Sequence, residues 1–75
     1  GPRRTVRVRV RAPRGDRLRT VQISVGGKRV KTVSGRALRR PMRVRIPARR
    51  TTRVTVRATT RKGRVLVCTR TYRRC

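Results

Sequence analysis

The sequence predicts an all-β protein, a small antiparallel β-sandwich of about six strands, and three observations predict it. Apolar and charged residues alternate with a period of two over several separate stretches, the signature of strands with one face buried. Gly- and Pro-containing turns separate those stretches, and none of them carries the 3.6-residue period of a helix. A chain of 75 residues allows one such domain.

From Thr5 to Ala12 the chain reads TVRVRVRA, with Val6, Val8 and Val10 on one parity and Arg7, Arg9 and Arg11 on the other. Ala12 to Asp16 supplies the turn, because Pro13 fixes φ while Gly15 and Asp16 accept turn conformations. The second strand is expected from Leu18 to Val25, with Val21, Ile23 and Val25 on one face. Gly26-Gly27 then gives a two-residue hairpin, since both positions can take φ > 0. Lys28 to Val33 returns as a weaker strand whose positive charges suit a sheet edge.

Ser34 to Arg40 lacks alternation and is too short for a stable helix alone, so it reads as a loop with at most one helical turn. Pro41 and Pro47 bracket Met42 to Ile46, a short strand suited to an edge. Thr51 to Thr60 sets Thr52, Val54, Val56 and Ala58 against Arg53 and Arg57. Arg61-Lys62-Gly63 turns the chain into a last strand from Arg64 to Thr71. On that strand Val65, Val67, Thr69 and Thr71 avoid arginine, and this face is expected to meet the core.

The two cysteines, Cys68 and Cys75, are expected to form one disulfide in an oxidising setting. Seven residues of extended chain span about 23 Å, whereas a disulfide needs Cα atoms within about 7 Å, so the chain must reverse between Thr71 and Cys75. A buried free Cys68 with Cys75 pairing between chains, or two free thiols, are the competing readings. The opening Gly1-Pro2 resembles the scar of a cleaved tag, which leaves residues 3–75 as the single domain.

Charge narrows the function. The chain holds 26 Lys+Arg against one acid, Asp16, a formal net charge of +25, and it has no His, Glu, Phe or Trp. General acid–base catalysis needs a titratable group near working pH, and paired carboxylates do not exist in this chain. A metal site needs three or four ligands, and Cys68, Cys75 and Asp16 are the whole supply. The expectation is therefore no enzyme, no cofactor and no small-molecule substrate, with Cys68 or Tyr72 as the only nucleophiles that surrounding arginines could activate. A GC-rich genome also raises arginine, but it enriches Ala and Gly as well and does not delete acids.

The stretch VQISVGGKRVKTV is similar to the central hairpin of bacterial immunoglobulin-like domains, and IPARRTTRVTVRATTRKGRVLVCTRTY looks like their closing strands. The resemblance covers Val21 to Tyr72 and implies an Ig-like sandwich, secreted or displayed at the cell surface, with a spacer or adhesive role. The sequence departs from that family in charge, holding Arg or Lys where such domains commonly carry Asp, Asn, Gly or Ser.

Arginine placed outward on strand after strand is expected to coat both outer faces of the sandwich. Guanidinium forks pair bidentately with phosphate, sulfate or carboxylate oxygens. Specific reading of bases needs a groove-shaped element or stacking aromatics, and Tyr72 is the one aromatic. The expected partners are polyanions: DNA, RNA, heparin-like glycans, and anionic membrane or cell-wall surfaces, bound by a monomer without sequence selection. The outward arginines expected to carry this are Arg7, Arg9, Arg43, Arg45, Arg53 and Arg57. Cell penetration is a common property of such polycations. A structural C-terminal domain of a secreted bacterial surface protein, attached to an anionic wall, is the alternative, and a supercharged design on an Ig-like scaffold is a third reading. Arg14-Gly15-Asp16 spells the tripeptide read by integrins, though turn chemistry or an Asp16–arginine pair explains the same residues.

Overall fold

The computed structural model describes residues 2–73. Six strands and one 3₁₀ turn follow in the order β1 (Arg3–Val8), β2 (Leu18–Val25), β3 (Lys28–Ser34), the turn (Gly35–Arg39), β4 (Met42–Pro47), β5 (Thr52–Thr60) and β6 (Val65–Tyr72). They form two antiparallel sheets, a pair β1-β4 and a four-stranded sheet ordered β3-β2-β5-β6. The hairpin at Gly26-Gly27 forms as the sequence predicts, with φ of 59° and 84° and with Val25 opposite Lys28. β3 is an edge strand, as its charges suggested.

The core is the set of alternating positions facing inward: Val8, Val21, Ile23, Val33, Met42, Val44, Ile46, Val54, Val56 and Ala58. Thr52 and Thr60 continue the same parity of β5 and are also buried. Each fully buried Val or Ile contributes about 1.5–3 kcal/mol.

Two expectations need correction. The first strand was expected to reach Ala12 but ends at Val8, which pairs with Met42. The next partner in register would be Pro41, which has no N–H to donate to the ladder. Val10 still packs against the core from outside the strand. The last strand presents the other face from the one expected. Val65 and Val67 are 50% and 65% exposed, while Leu66 and Tyr72 pack against the core opposite Ala58 and Thr52.

The reason lies in the unequal sheets. β4 approaches β3, where Lys31 Nζ donates to the Arg43 carbonyl at 3.3 Å, and the end of β1 borders a cleft with β5 and β6. Arg4 of β1 lies over Tyr72 at the end of β6, whereas Cys68 and Arg70, on the same inward parity, remain exposed. Of the expected disulfide, exposed Cys68 has no cysteine partner among the described residues, and Cys75 lies outside them.

One acid ties the loops together. Asp16 Oδ1 accepts from the backbone N–H of Arg17 at 2.8 Å and of Lys62 at 3.3 Å, and Oδ2 lies 4.0 Å from Arg64 Nε. The Asp16 side chain is 1% exposed, so the tripeptide Arg14-Gly15-Asp16 does not present its carboxylate to a partner. Desolvation alone raises the Asp16 pKa, but the Thr60 hydroxyl, the two backbone N–H donors and the Arg64 charge outweigh it and leave it below the ordinary 3.8. A depressed folded-state pKa means that stability from this carboxylate is complete above the unfolded value and is lost as pH falls through the folded one. The melting temperature is therefore expected to stay level from about pH 8 to about pH 5 and to fall below about pH 4, with Asp16→Asn lowering the plateau and flattening the acid limb. Chemical denaturation separates the two faces of the fold. Ile23→Ala should cost about 2–5 kcal/mol, and Val67→Thr less than about 0.5 kcal/mol.

Candidate polyanion-binding surface

The six arginines named from the sequence do not make one site. Arg7 and Arg43 are directly opposed across β1-β4, and Arg45 is opposed to Thr5, all exposed on the outer face of the two-stranded sheet. Like charges in direct register repel, and at about 5 Å in water the repulsion approaches 1 kcal/mol, which an anion seated between the guanidiniums would relieve. Arg9 lies just beyond the end of β1. Arg53 and Arg57 are on β5, on the outer face of the four-stranded sheet and so on the opposite side of the sandwich.

The outer faces also differ from the expected uniform coat. Across the four-stranded sheet Arg29, Arg53 and Arg57 stand among Thr20, Gln22, Ser24, Thr32, Thr55, Thr59, Thr69 and Thr71, with Val65 and Val67 exposed beside them. Thr20 and Thr59 hydrogen-bond across β2-β5, and Thr55 and Thr69 across β5-β6 at 3.5 Å. This face is mainly hydroxylated, whereas the outer face of β1-β4 carries Arg3, Arg7, Arg43 and Arg45. Arginine is therefore denser on the outer face of the two-stranded sheet.

One gathering of five arginines lies outside the six named from the sequence. Arg17, Arg19, Arg36, Arg39 and Arg61 surround a depression of about 830 Å³ at one end of the sandwich. Three local devices assemble it. The register shift between Leu18 and Thr20 leaves Arg19 as a bulged residue, and a bulge re-aims its side chain. In the 3₁₀ turn, residues three apart eclipse, which puts Arg36 and Arg39 on one side. Arg61 donates its backbone N–H to the Arg17 carbonyl at 2.9 Å, joining the β5-β6 turn to the start of β2. The missing signal was tertiary: residues from three distant segments meet here, and only the broken alternation of SGRALRR marked the place.

Arg39 also borders a second depression of about 320 Å³ with Arg7, Arg9, Arg11 and Arg40. The two depressions share Arg39, so the arginines form a continuous belt from Arg61 through Arg17, Arg36 and Arg39 to Arg9 and Arg7. The carboxylate within it, Asp16, is already engaged by backbone donors and Arg64. Tyr72 carries the Arg4 guanidinium 5.8 Å above its ring centroid, so one ring face is occupied by a cation–π contact rather than open to a base.

No protein-family model matches the chain, and no curated protein or solved structure matches it. The geometry of the belt is what bears on function.

Proposed function

We propose that this chain is an Ig-like β-sandwich that acts as a polycationic module, binding DNA, RNA, heparin-like glycans and anionic cell surfaces by electrostatics, in a secreted or cell-surface setting and without catalysis. The observation that carries the reading is the arginine belt, continuous across two depressions and offering bidentate forks to phosphate or sulfate oxygens. The net charge of +25 adds long-range attraction and steering. The shape agrees with distributed contact: the molecule is 40 Å long and about 20 Å across, and so can track a polyanion along its length. Binding releases counterions condensed on the polyanion, which makes affinity a steep function of salt. Strand arginines with no groove-reading element provide no means of choosing one base sequence over another.

The reading includes a disulfide between Cys68 and Cys75, with the chain turning back after Tyr72. Thiol titration of the denatured, unreduced monomer should then find no free thiol per chain. Two would overturn the pairing and leave the charge argument untouched.

The main test is salt. A module contacting 6 to 10 phosphates loses roughly 10³ to 10⁵ in affinity for duplex DNA between 50 and 200 mM salt. Removing one phosphate contact lowers the salt slope by about 1, so Arg17→Ser/Arg36→Ser/Arg61→Ser should lower it by about 3 for DNA, with heparin affinity falling in parallel. The paired replacements Arg53→Ser and Arg57→Ser, on the hydroxylated face, should change it by less than about 1. Salt-independent binding, or strong preference for one DNA sequence, would overturn the proposal.

A further inference from the structure

Five arginines around one depression set a narrower requirement than a charged surface does. Arg17, Arg19, Arg36, Arg39 and Arg61 line it and are exposed, and among the described residues none of them is paired with a carboxylate. Asp16, which also lines it, is the one acidic residue of the chain. Its side chain is 1% exposed and is already held by the Arg17 and Lys62 N–H groups beside Arg64. The depression therefore keeps an excess of positive charge that the described residues do not compensate.

Its dimensions select a kind of anion. Half-buried Leu18 and Leu38 are part of the lining, and beside them a charge pair is weakened less than in open water. A sphere of about 830 Å³ is roughly 12 Å across, so a small ligand at its centre lies nearer the wall than the screening length of about 8 Å at physiological salt. Duplex DNA sets its phosphates apart with sugars, and it is too stiff to fold several of them into a space of that width. A condensed phosphate chain joins its phosphates through single bridging oxygens, so several charges enter together. The oxygens that do not bridge match the guanidinium forks.

We propose that this depression binds one short condensed-phosphate chain, phosphates joined through bridging oxygens as in inorganic polyphosphate or a nucleoside triphosphate. The inference rests on the polyanion reading above and narrows it to a compact ligand at one place. Three segments meet at the wall: the start of β2, the 3₁₀ turn and the β5-β6 turn. One ligand thus ties together parts of the chain that are distant in sequence, and it stabilises the fold by mass action. Tyr72, the one aromatic residue, lines a different cleft, so no ring stacks on a nucleoside here and the phosphates are the part recognised.

The test is calorimetry on the full chain at 150 mM salt, in phosphate-free buffer without divalent cations. The probes are tripolyphosphate, ATP and a five-thymidine DNA strand, which carries a comparable charge on phosphates set apart by sugars. Tripolyphosphate should bind one per chain and at least tenfold more tightly than the DNA strand. ATP within threefold of tripolyphosphate, or weaker, leaves the inorganic chain as the ligand; ATP more than threefold tighter assigns the site to a nucleotide and overturns recognition by phosphates alone. Backbone amide resonances should shift at Arg19, Arg36, Arg39 and Arg61 and stay in place at Arg53 and Arg57. Arg17→Ser/Arg36→Ser/Arg61→Ser should weaken tripolyphosphate at least tenfold. Arg45→Ser/Arg53→Ser/Arg57→Ser, an equal charge change away from the depression, should stay within about threefold. Equal affinity for the DNA strand, several equivalent ligands per chain, or resonance shifts spread over both outer faces overturns the proposal. Duplex DNA titrated against salt in parallel separates the two readings. Steep salt dependence that persists while tripolyphosphate shows no preference overturns this inference alone, whereas salt-independent DNA binding overturns the polyanion reading and leaves a measured preference for tripolyphosphate standing.

Discussion

The structure depends on keeping guanidinium groups off a small apolar interior. Ten buried apolar side chains, none larger than Ile or Met, hold together a chain whose charge opposes compaction. Strand geometry makes this possible because successive side chains point to opposite faces. It also makes register strict. A one-residue slip of β4 would carry Arg43 and Arg45 inward and Val44 and Ile46 out, so each arginine disfavours the wrong pairing while the apolar residues favour the right one.

Where this constraint acts on both sides of a strand pair, the sequence was legible. β2, β4 and β5 fall where alternation put them, and the Gly26-Gly27 hairpin follows from backbone chemistry alone. β6 was not legible because it carries apolar residues on both parities, and arginine avoidance selected the wrong one. Arg70 is tolerated on the inward parity of β6 because β6 is an edge strand and the side chain stays exposed there. The rule that arginine must face out holds only where there is an inside, and strand count, which alternation does not encode, decides where that is.

The placement of the arginines was legible only in part. Composition alone pointed to polyanions, and Arg7 and Arg9 do lie on the belt. Its other members come from a bulge, a 3₁₀ turn and a strand-connecting turn, where periodicity is broken and a strand-based search has nothing to follow. Arginines fixed in regular strands are spread by the sheet, as Arg53 and Arg57 are. Arginines in connections can converge, because connections from different parts of the chain meet at one end of a sandwich. The strand positions therefore spread the field, and the connections concentrate it.

In the proposed function, self-repulsion becomes part of the binding free energy. Opposed Arg7 and Arg43 and the clustered Arg17, Arg36 and Arg61 raise the energy of the free protein, and an anion placed among them removes that cost as well as adding its own hydrogen bonds. Any ligand that binds the folded chain in preference to the unfolded one stabilises it by mass action. An unfolded chain keeps its 26 cations but spreads them, so a polyanion also binds it, and the net stabilisation reflects only the advantage of prearranged arginines. Asp16 sets the scale of that prearrangement. By accepting from Arg17 and Lys62 and standing beside Arg64, it holds the β5-β6 turn against the start of β2 and so fixes one side of the belt. One carboxylate placed among like charges thus organises the surface rather than neutralising it, and a second in the same depression would compete with the ligand for the same guanidinium forks.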